Sequence, residues 1–264
     1  MGLAEAKLRG ITSPGEDLKQ WDLEEDEKLL DVKAGSEYRQ VAARANFLAL
    51  DRPDIQFSVK EICSAMSSPT VGDRKKIKRL ARYLLEVPRL VSHFEFQEEP
   101  HELEGFSDSD WAGCKRTASS SRGGAILAGK HCLKTWSSTQ KNITLSSGEA
   151  ELVAAVKMSA ELIGMMQLLE DWGVTREARV YVDSSAAIGT MQRRGNGKLS
   201  HVRVCALWIQ ERVEAGELNV TKVLGTENPA DAMTKYLPGK TIQELMGKIS
   251  QEGRSGRSDL SLRV

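Results

Sequence analysis

Four carboxylates fall where secondary structure is expected to begin or end, and a set of oxygen ligands is what a hard divalent cation needs. Phe106-Ser107-Asp108-Ser109-Asp110 puts Asp108 and Asp110 on one face of a strand by period-two alternation. Asp183 closes the strand-like run Arg179-Val180-Tyr181-Val182. Asp231 lies in the first turn of a short helix opened by Asn228-Pro229, an N-cap asparagine followed by a first-turn proline. Taken singly, each has an ordinary explanation: Asp183 caps the next helix, Asp231 serves its helix dipole, and Asp108 sits in a turn. Glu151 has none. Ser146 and Glu149 form a capping box, and apolar residues recur at helical spacing from there to Leu169. At about 100° per residue, Glu151 falls within about 40° of Ala155, Met158, Leu162, Met165 and Leu169, in the middle of the apolar arc. Glu149 falls on the other side, among Lys157, Ala160, Gly164, Gln167 and Asp171, where capping and solvent account for it. A carboxylate on a buried face is costly unless a cation meets it. Jointly, Asp108, Glu151, Asp183 and Asp231 suit two Mg²⁺ ions, or Mn²⁺, and no Cys or His cluster competes. Two such ions about 3.5–4 Å apart favour in-line phosphoryl chemistry.

The elements that must position these residues can be read along the chain. Residues 1–37 are polar and acid-rich around Leu23-Glu24-Glu25-Asp26-Glu27 and are assigned no fold, only a linker or the truncated end of something larger. Helical patterns follow over 38–50, ended by Arg52-Pro53-Asp54, and over 55–66, ended by Ser67-Ser68-Pro69-Thr70. The next helix sets Ile77, Leu80, Ala81, Leu84 and Leu85 on one face and Arg74, Lys75, Lys76, Lys78, Arg79 and Arg82 on the other. A solvated face is the commoner meaning of such a run; contact with phosphates is the alternative. Beyond Pro88 three strands alternate with Gly-containing turns, over 104–110, 122–128 and 131–137. The long helix 147–172 is followed by strand 179–182, helix 184–192, helix 202–215, strand 218–224 and the short helix at Pro229. The order βββαβααβα predicts an α/β fold, a mixed five-stranded sheet flanked by helices. The Gly-, Ser- and Arg-rich tail is expected to be disordered, and residues 241–264 are set outside the folded domain.

Composition excludes more than it selects. Lys plus Arg and Asp plus Glu both number 37, so net charge neither supports nor excludes a polyanionic partner. The four cysteines, Cys63, Cys114, Cys132 and Cys205, have no CxxC spacing, which argues against zinc and against a disulfide framework and fits a reducing compartment, cytoplasm or nucleus. No run approaches about 18 consecutive apolar residues, so no membrane partner is expected. Nothing in the sequence specifies an oligomeric state.

Four motifs in order carry a family resemblance. Gly105-Phe106-Ser107-Asp108-Ser109-Asp110-Trp111-Ala112-Gly113, Trp136-Ser137-Ser138-Thr139-Gln140-Lys141 with Leu145-Ser146-Ser147-Gly148-Glu149-Ala150-Glu151, Val180-Tyr181-Val182-Asp183-Ser184-Ser185-Ala186-Ala187-Ile188, and Asn228-Pro229-Ala230-Asp231-Ala232-Met233-Thr234-Lys235 resemble the RNase H region of copia-type LTR retrotransposon Pol polyproteins. Upstream, Tyr38-Arg39-Gln40-Val41, Arg52-Pro53-Asp54-Ile55, Met66-Ser67-Ser68-Pro69-Thr70 and Lys78-Arg79-Leu80-Ala81-Arg82-Tyr83-Leu84 are similar to the end of the reverse transcriptase region, with no polymerase palm. The resemblance implies a ribonuclease H-like fold over 101–240, a helical thumb- or connection-like segment over 38–100, and hydrolysis of the RNA strand of RNA/DNA hybrids with two Mg²⁺ ions. It also implies Asp108, Glu151, Asp183 and Asp231 as metal-binding catalytic residues, the basic helix as a grip on the hybrid, and the remainder of a reverse transcriptase as a partner.

One segment departs from the pattern. In Gly197-Lys198-Leu199-Ser200-His201-Val202-Arg203, His201 matches the family histidine while Arg203 stands where an aspartate is usual. Two readings of His201 stand, a proton shuttle or product-release group near the metals and a helix-cap histidine. Two readings of the whole chain also stand beside a disfavoured integrase- or exonuclease-like one: a metal-dependent endoribonuclease, and a non-catalytic transposon remnant that binds nucleic acid.

Overall fold

The computed structural model describes residues 9–17, 23–114, 117–195 and 203–258. They form two compact units, one of residues up to Ser92 with 236–247 and the chain from 251, the other of residues 93–235 with 248–250.

The first unit is mainly helical. A short helix α1 (Leu23–Asp26) precedes α2 (Val32–Leu48), α3 (Gln56–Ser64) and α4 (Val71–Glu86). Asp31 caps α2 by accepting from the Ala34 N–H, so the helix starts earlier than the apolar pattern alone suggests. Thr70 and Asp73 form a complete capping box at α4. Tyr38, Ala42, Ile55, Val59, Ile62, Ile77, Leu80 and Tyr83 build the core. Beneath it lies a buried polar knot. Arg52 grips both oxygens of Asp54 at 2.9 and 2.7 Å and donates to the Val87 carbonyl, while the Tyr83 hydroxyl donates to Asp54 at 2.8 Å. Arg52-Pro53-Asp54-Ile55 is therefore a structural motif.

Two expectations are corrected here. Residues 1–37 are not wholly without fold, since α1 and the first turns of α2 lie within them. Part of the tail from 241 is ordered rather than disordered: α8 (Gly239–Lys248) buries Ile242, Leu245 and Met246 at helical spacing, and β7 (Gln251–Arg254) pairs antiparallel with β1 (Arg89–Ser92). Backbone pairing needs no apolar pattern, and the polar composition of β7 concealed it.

The second unit is the α/β sheet. Its five strands, β2 (Glu102–Asp110), β3 (Ser121–Ala128), β4 (His131–Thr139), β5 (Glu177–Val182) and β6 (Asn219–Lys222), lie in the order β4-β3-β2-β5-β6. The β2-β3-β4 meander is antiparallel, and β5 and β6 add in parallel. This is the mixed, ribonuclease H-like arrangement that the sequence implied. Helices α5 (Ser147–Asp171), α6 (Ser185–Gln192) and α7 (Arg203–Glu214) complete it. Leu152, Met158 and Leu162 of α5 pack with Leu103, Val180, Val182, Ile209 and Leu218. By length and composition α5 would pass as a membrane span, contrary to expectation, and its buried core face accounts for that apolar content. Two glycines set the depth of packing. A Cβ on Gly105 would lie 2.4 Å from the Met158 sulfur, so α5 sits tight on β2. A Cβ on Gly123 would lie 2.6 Å from Met233 Cβ and 2.9 Å from the Ala230 carbonyl, so the turn bearing Asp231 sits tight on β3.

Candidate metal centre

β2 and β5 run in parallel with Phe106 opposite Tyr181, so Asp108 and Asp183 emerge side by side where the two strands end. Glu151 reaches them from the N-terminal part of α5. That end of the helix is fixed by the Ser146 hydroxyl, which accepts from the Glu149 N–H, and by the buried Gln140, whose amide donates to the Ala150 carbonyl at 2.9 Å. Glu149 is not the solvent residue its helical position suggested. It is buried, and its carboxylate takes the Leu145 N–H at 2.6 Å, one residue beyond the usual capping-box partner.

Asp108, Glu151 and Asp183 each offer a carboxylate oxygen, and these oxygens all lie within 4.8 Å of one another. Asp108 and Glu151 are buried, at 2% and 7% exposure. One oxygen of Glu151 accepts the Ser109 N–H at 3.1 Å and the Ser109 hydroxyl at 3.0 Å; the other is buried without a hydrogen-bond partner among the described residues. Buried polar atoms are normally satisfied, so an orphan oxygen beside two further carboxylates fits an oxygen-seeking cation.

The electrostatics agree. Burial, reinforced by the charges of Asp108 and Asp183, pushes the Glu151 carboxyl up to about 9, against the pull of the two Ser109 hydrogen bonds. Burial and the Asp231 charge push Asp108 up to about 7, opposed by Lys235 and the Thr234 hydroxyl. Asp183 is raised by burial and by Asp231. Crowding and burial favour the protonated form of all three carboxyls, and a divalent cation would offset that by favouring the charged form.

Asp231 stands beside the trio without belonging to it. Its carboxylate pairs with Lys235 at 2.7 Å, one helical turn on. Its turn is pinned to β2 by the buried Asn228, whose amide donates to the Ser107 carbonyl at 2.9 Å and whose oxygen accepts from the Ala230 N–H. The short helix expected there is a 3₁₀ helix, Pro229–Met233. The Thr234 hydroxyl donates to Asp108. Burial disfavours the Lys235 ammonium, yet Asp108, Asp231 and Asp110 outweigh it and hold its pKa above the ordinary lysine value. Thr234 and Lys235 were not singled out from the sequence, although both close the fourth motif. The signal was their spacing, three and four residues beyond Asp231.

His201 lies outside the described residues, and the side chain of Arg203 is likewise not described. Arg74, Lys75, Lys76, Lys78, Arg79 and Arg82 all lie on α4, in the helical unit. The three cysteines whose side chains are described, Cys63, Cys114 and Cys132, are free thiols.

With that geometry in view, similarity to known proteins is informative. Over 247 residues, 90% of its length, the chain is 30% identical to the retrovirus-related Pol polyprotein from transposon RE1 of Arabidopsis thaliana. Over 204 residues, 75% of its length, it is 30% identical to that from transposon TNT 1-94 of Nicotiana tabacum. Its homologues over most of its length include several retrovirus-related Pol polyproteins. The chain spans 16% of the length of the RE1 polyprotein and 15% of that of TNT 1-94. No protein-family model matches it. Similar solved structures include LC11-RNase H1 isolated from compost, with a TM-score of 0.42 and 19% identity, covering 51% of this chain and 93% of that one. The same enzyme in complex with an RNA/DNA hybrid has a TM-score of 0.40 and 18% identity, covering 50% and 94%.

Proposed function

We propose that this chain is the RNase H portion of a transposon Pol polyprotein, together with the end of its reverse transcriptase region, and that it hydrolyses the RNA strand of RNA/DNA hybrids with divalent metal. The observation that carries this reading is the buried, unpartnered oxygen of Glu151 among the carboxylates of Asp108 and Asp183. The homology to Pol polyproteins supports the substrate class.

Asp108, Glu151 and Asp183 would hold Mg²⁺ or Mn²⁺, with Asp231 completing a second position. Bound there, such ions polarise the scissile phosphate and activate the attacking water for in-line hydrolysis. The chain's own groups prepare the site. Ser109 takes up one oxygen of Glu151 and leaves the other for a ligand. Thr234 fixes one oxygen of Asp108. Lys235 neutralises Asp231 and keeps positive potential at the edge of the cluster, where phosphate oxygens must approach. His201, at the family histidine's position, would shuttle protons or assist product release. An enzyme of this class reads backbone and 2′-hydroxyl groups with little sequence preference. The basic residues of α4 would add contacts to the backbone, and the rest of a reverse transcriptase is the natural partner.

The test uses labelled RNA, hybridised to DNA or paired with RNA, in Mg²⁺ and in EDTA, with Asp183→Asn alongside. Cleavage of the hybrid alone, dependent on metal and lost in the variant, is the expected result. Binding without cleavage in either Mg²⁺ or Mn²⁺ would overturn the enzyme and leave the nucleic-acid-binding remnant.

A further inference from the structure

An amphipathic helix as basic as α4 would ordinarily leave its cations in water. Four of its six do not. Lys75 pairs with Asp26 at 2.7 Å, Lys76 with Asp73 at 3.0 Å and Arg79 with Glu16 at 2.5 Å, and Arg82 donates to the Arg9 carbonyl at 2.9 Å. Three of those partners, Arg9, Glu16 and Asp26, come from the chain ahead of α2. Arg74, Lys78 and Arg82 have no ion-pair partner among the described residues, and of these Arg82 alone has the carbonyl hydrogen bond.

The segment Arg9–Asp17 is laid along the helical unit by specific contacts. The Ser13 hydroxyl donates to the Gly15 and Leu237 carbonyls at 2.6 and 3.1 Å, and Pro14 and Gly15 are buried. A Cβ on Gly239 would come within 2.3 Å of the Thr12 carbonyl, so the strap lies against the start of α8. Toward α4 the fit is different. Glu16, Asp17, Asp26, Lys75, Lys76 and Arg79 line a cavity of about 240 Å³, and the buried Nε of Arg79 has no hydrogen-bond partner among the described residues. The strap is packed at Pro14-Gly15 and joined to the basic face by the Glu16–Arg79 ion pair and the Arg82 hydrogen bond to the Arg9 carbonyl. Glu16 and Lys75 are half-exposed, and ion pairs of that kind hold weakly and yield to salt.

Carboxylates on a cationic face present oxyanions where phosphate oxygens would otherwise sit. We propose that the basic face of α4 is a surface for a phosphodiester backbone, and that the chain's own acidic segment, Glu16 on the strap with Asp26 of α1, occupies it in competition, so nucleic acid binds there by displacing these carboxylates. The inference rests on the reading of the chain as a nucleic-acid enzyme. A backbone brings several phosphates and releases condensed counterions, and so outcompetes two carboxylates at low salt but not at high salt.

The test is fluorescence anisotropy of a labelled RNA/DNA hybrid with the full chain in EDTA, across a salt series. Glu16→Gln, an exposed position that leaves the fold alone, is expected to tighten binding by about five-fold. Asp51→Asn removes the same charge from an exposed site of the same unit and is expected to change little. Arg79→Gln is expected to weaken binding and flatten the salt dependence by about one phosphate contact. Equal effects of Glu16→Gln and Asp51→Asn, or unchanged affinity in both Glu16→Gln and Arg79→Gln, overturn the proposal. Binding is read without metal and cleavage separately with Mg²⁺. Unmoved binding beside intact cleavage sinks only the strap, and moved binding beside absent cleavage sinks only the enzyme.

Discussion

Replacing Glu151 by Gln should stabilise the metal-free protein, although it alters the residue on which the proposed metal site depends. In the native state burial and two neighbouring carboxylates hold the Glu151 carboxyl at about 9, against 4.5 for an unperturbed glutamate. Below pH 4.5 the group is protonated in both folded and unfolded chains and costs nothing. As pH rises from there, the unfolded chain releases the proton while the folded one keeps it, so the folded state binds more protons and stability falls until pH passes about 9. Asp108 adds a smaller loss between 3.8 and about 7. From pH 4.5 to pH 7, at about 1.4 kcal/mol for each pH unit, the Glu151 contribution is of order 3 kcal/mol. Glutamine accepts the same Ser109 hydrogen bonds and has nothing to titrate. Urea denaturation in EDTA at pH 5, 7 and 9 is the assay. Wild type should lose stability across the series; Glu151→Gln should lose much less, and at pH 7 should be the more stable protein. Saturating Mg²⁺ or Mn²⁺ should reverse that ranking, since the cation stabilises only a chain that can hold it. A metal-free wild type with flat stability over this range, or a variant less stable at pH 7, would refute the account of Glu151 as a strained, proton-holding ligand.

Two further outcomes test the packing around the site and beneath the helical unit. Gly123→Ala should push the Asp231 turn off β3, because the new methyl meets the Ala230 carbonyl at 2.9 Å; cleavage should drop by about 10- to 100-fold for a stability loss of about 1–3 kcal/mol, whereas Gly164→Ala, with nothing within 4 Å, should cost nothing. Tyr83→Phe should cost about 1–3 kcal/mol in urea denaturation by withdrawing the donor from the buried Asp54, and Arg52→Met about 3–5 kcal/mol by leaving that carboxylate unpaired.

The parts of the fold and site that were legible in the sequence are those where local pattern and tertiary role coincide. The capping box and the 3.6-residue period marked α5 to within a residue, and Glu151 betrayed itself by lying inside the apolar arc. Period-two alternation and strand-end position pointed to Asp108 and Asp183. Most of what escaped depends on contacts between distant segments. Glu149 is a local exception: helical periodicity set it on the solvent side, but its carboxylate turns back to the Leu145 N–H at the helix start and is buried there. β7 is three polar residues and a glycine, and its ladder partner β1 is separated from it in the chain by the whole sheet unit. Lys235 drew no reading from the sequence, because its place beside Asp108 and Asp231 depends on the Asn228 hydrogen bond to Ser107 that brings its turn against β2. The basic run on α4 looked free because its partners, Glu16 and Asp26, sit in a segment with no apolar pattern to announce it.

The pairing of β1 with β7 has a consequence for how the chain is assembled. Everything from His93 to Ser250 lies between the two strands of one ribbon, so in topological terms the sheet unit is an insertion and the helical unit is made from segments on either side of it. Residues 93–235 of the sheet unit are contiguous in the chain, whereas the helical unit is completed only when β7 meets β1 across a very long loop. A nick or truncation between α8 and β7 would then strike first at the helical unit that carries the basic face, leaving the carboxylates of the sheet unit where they are. The basic face of α4 and the carboxylate cluster thereby have separate points of failure within a single chain.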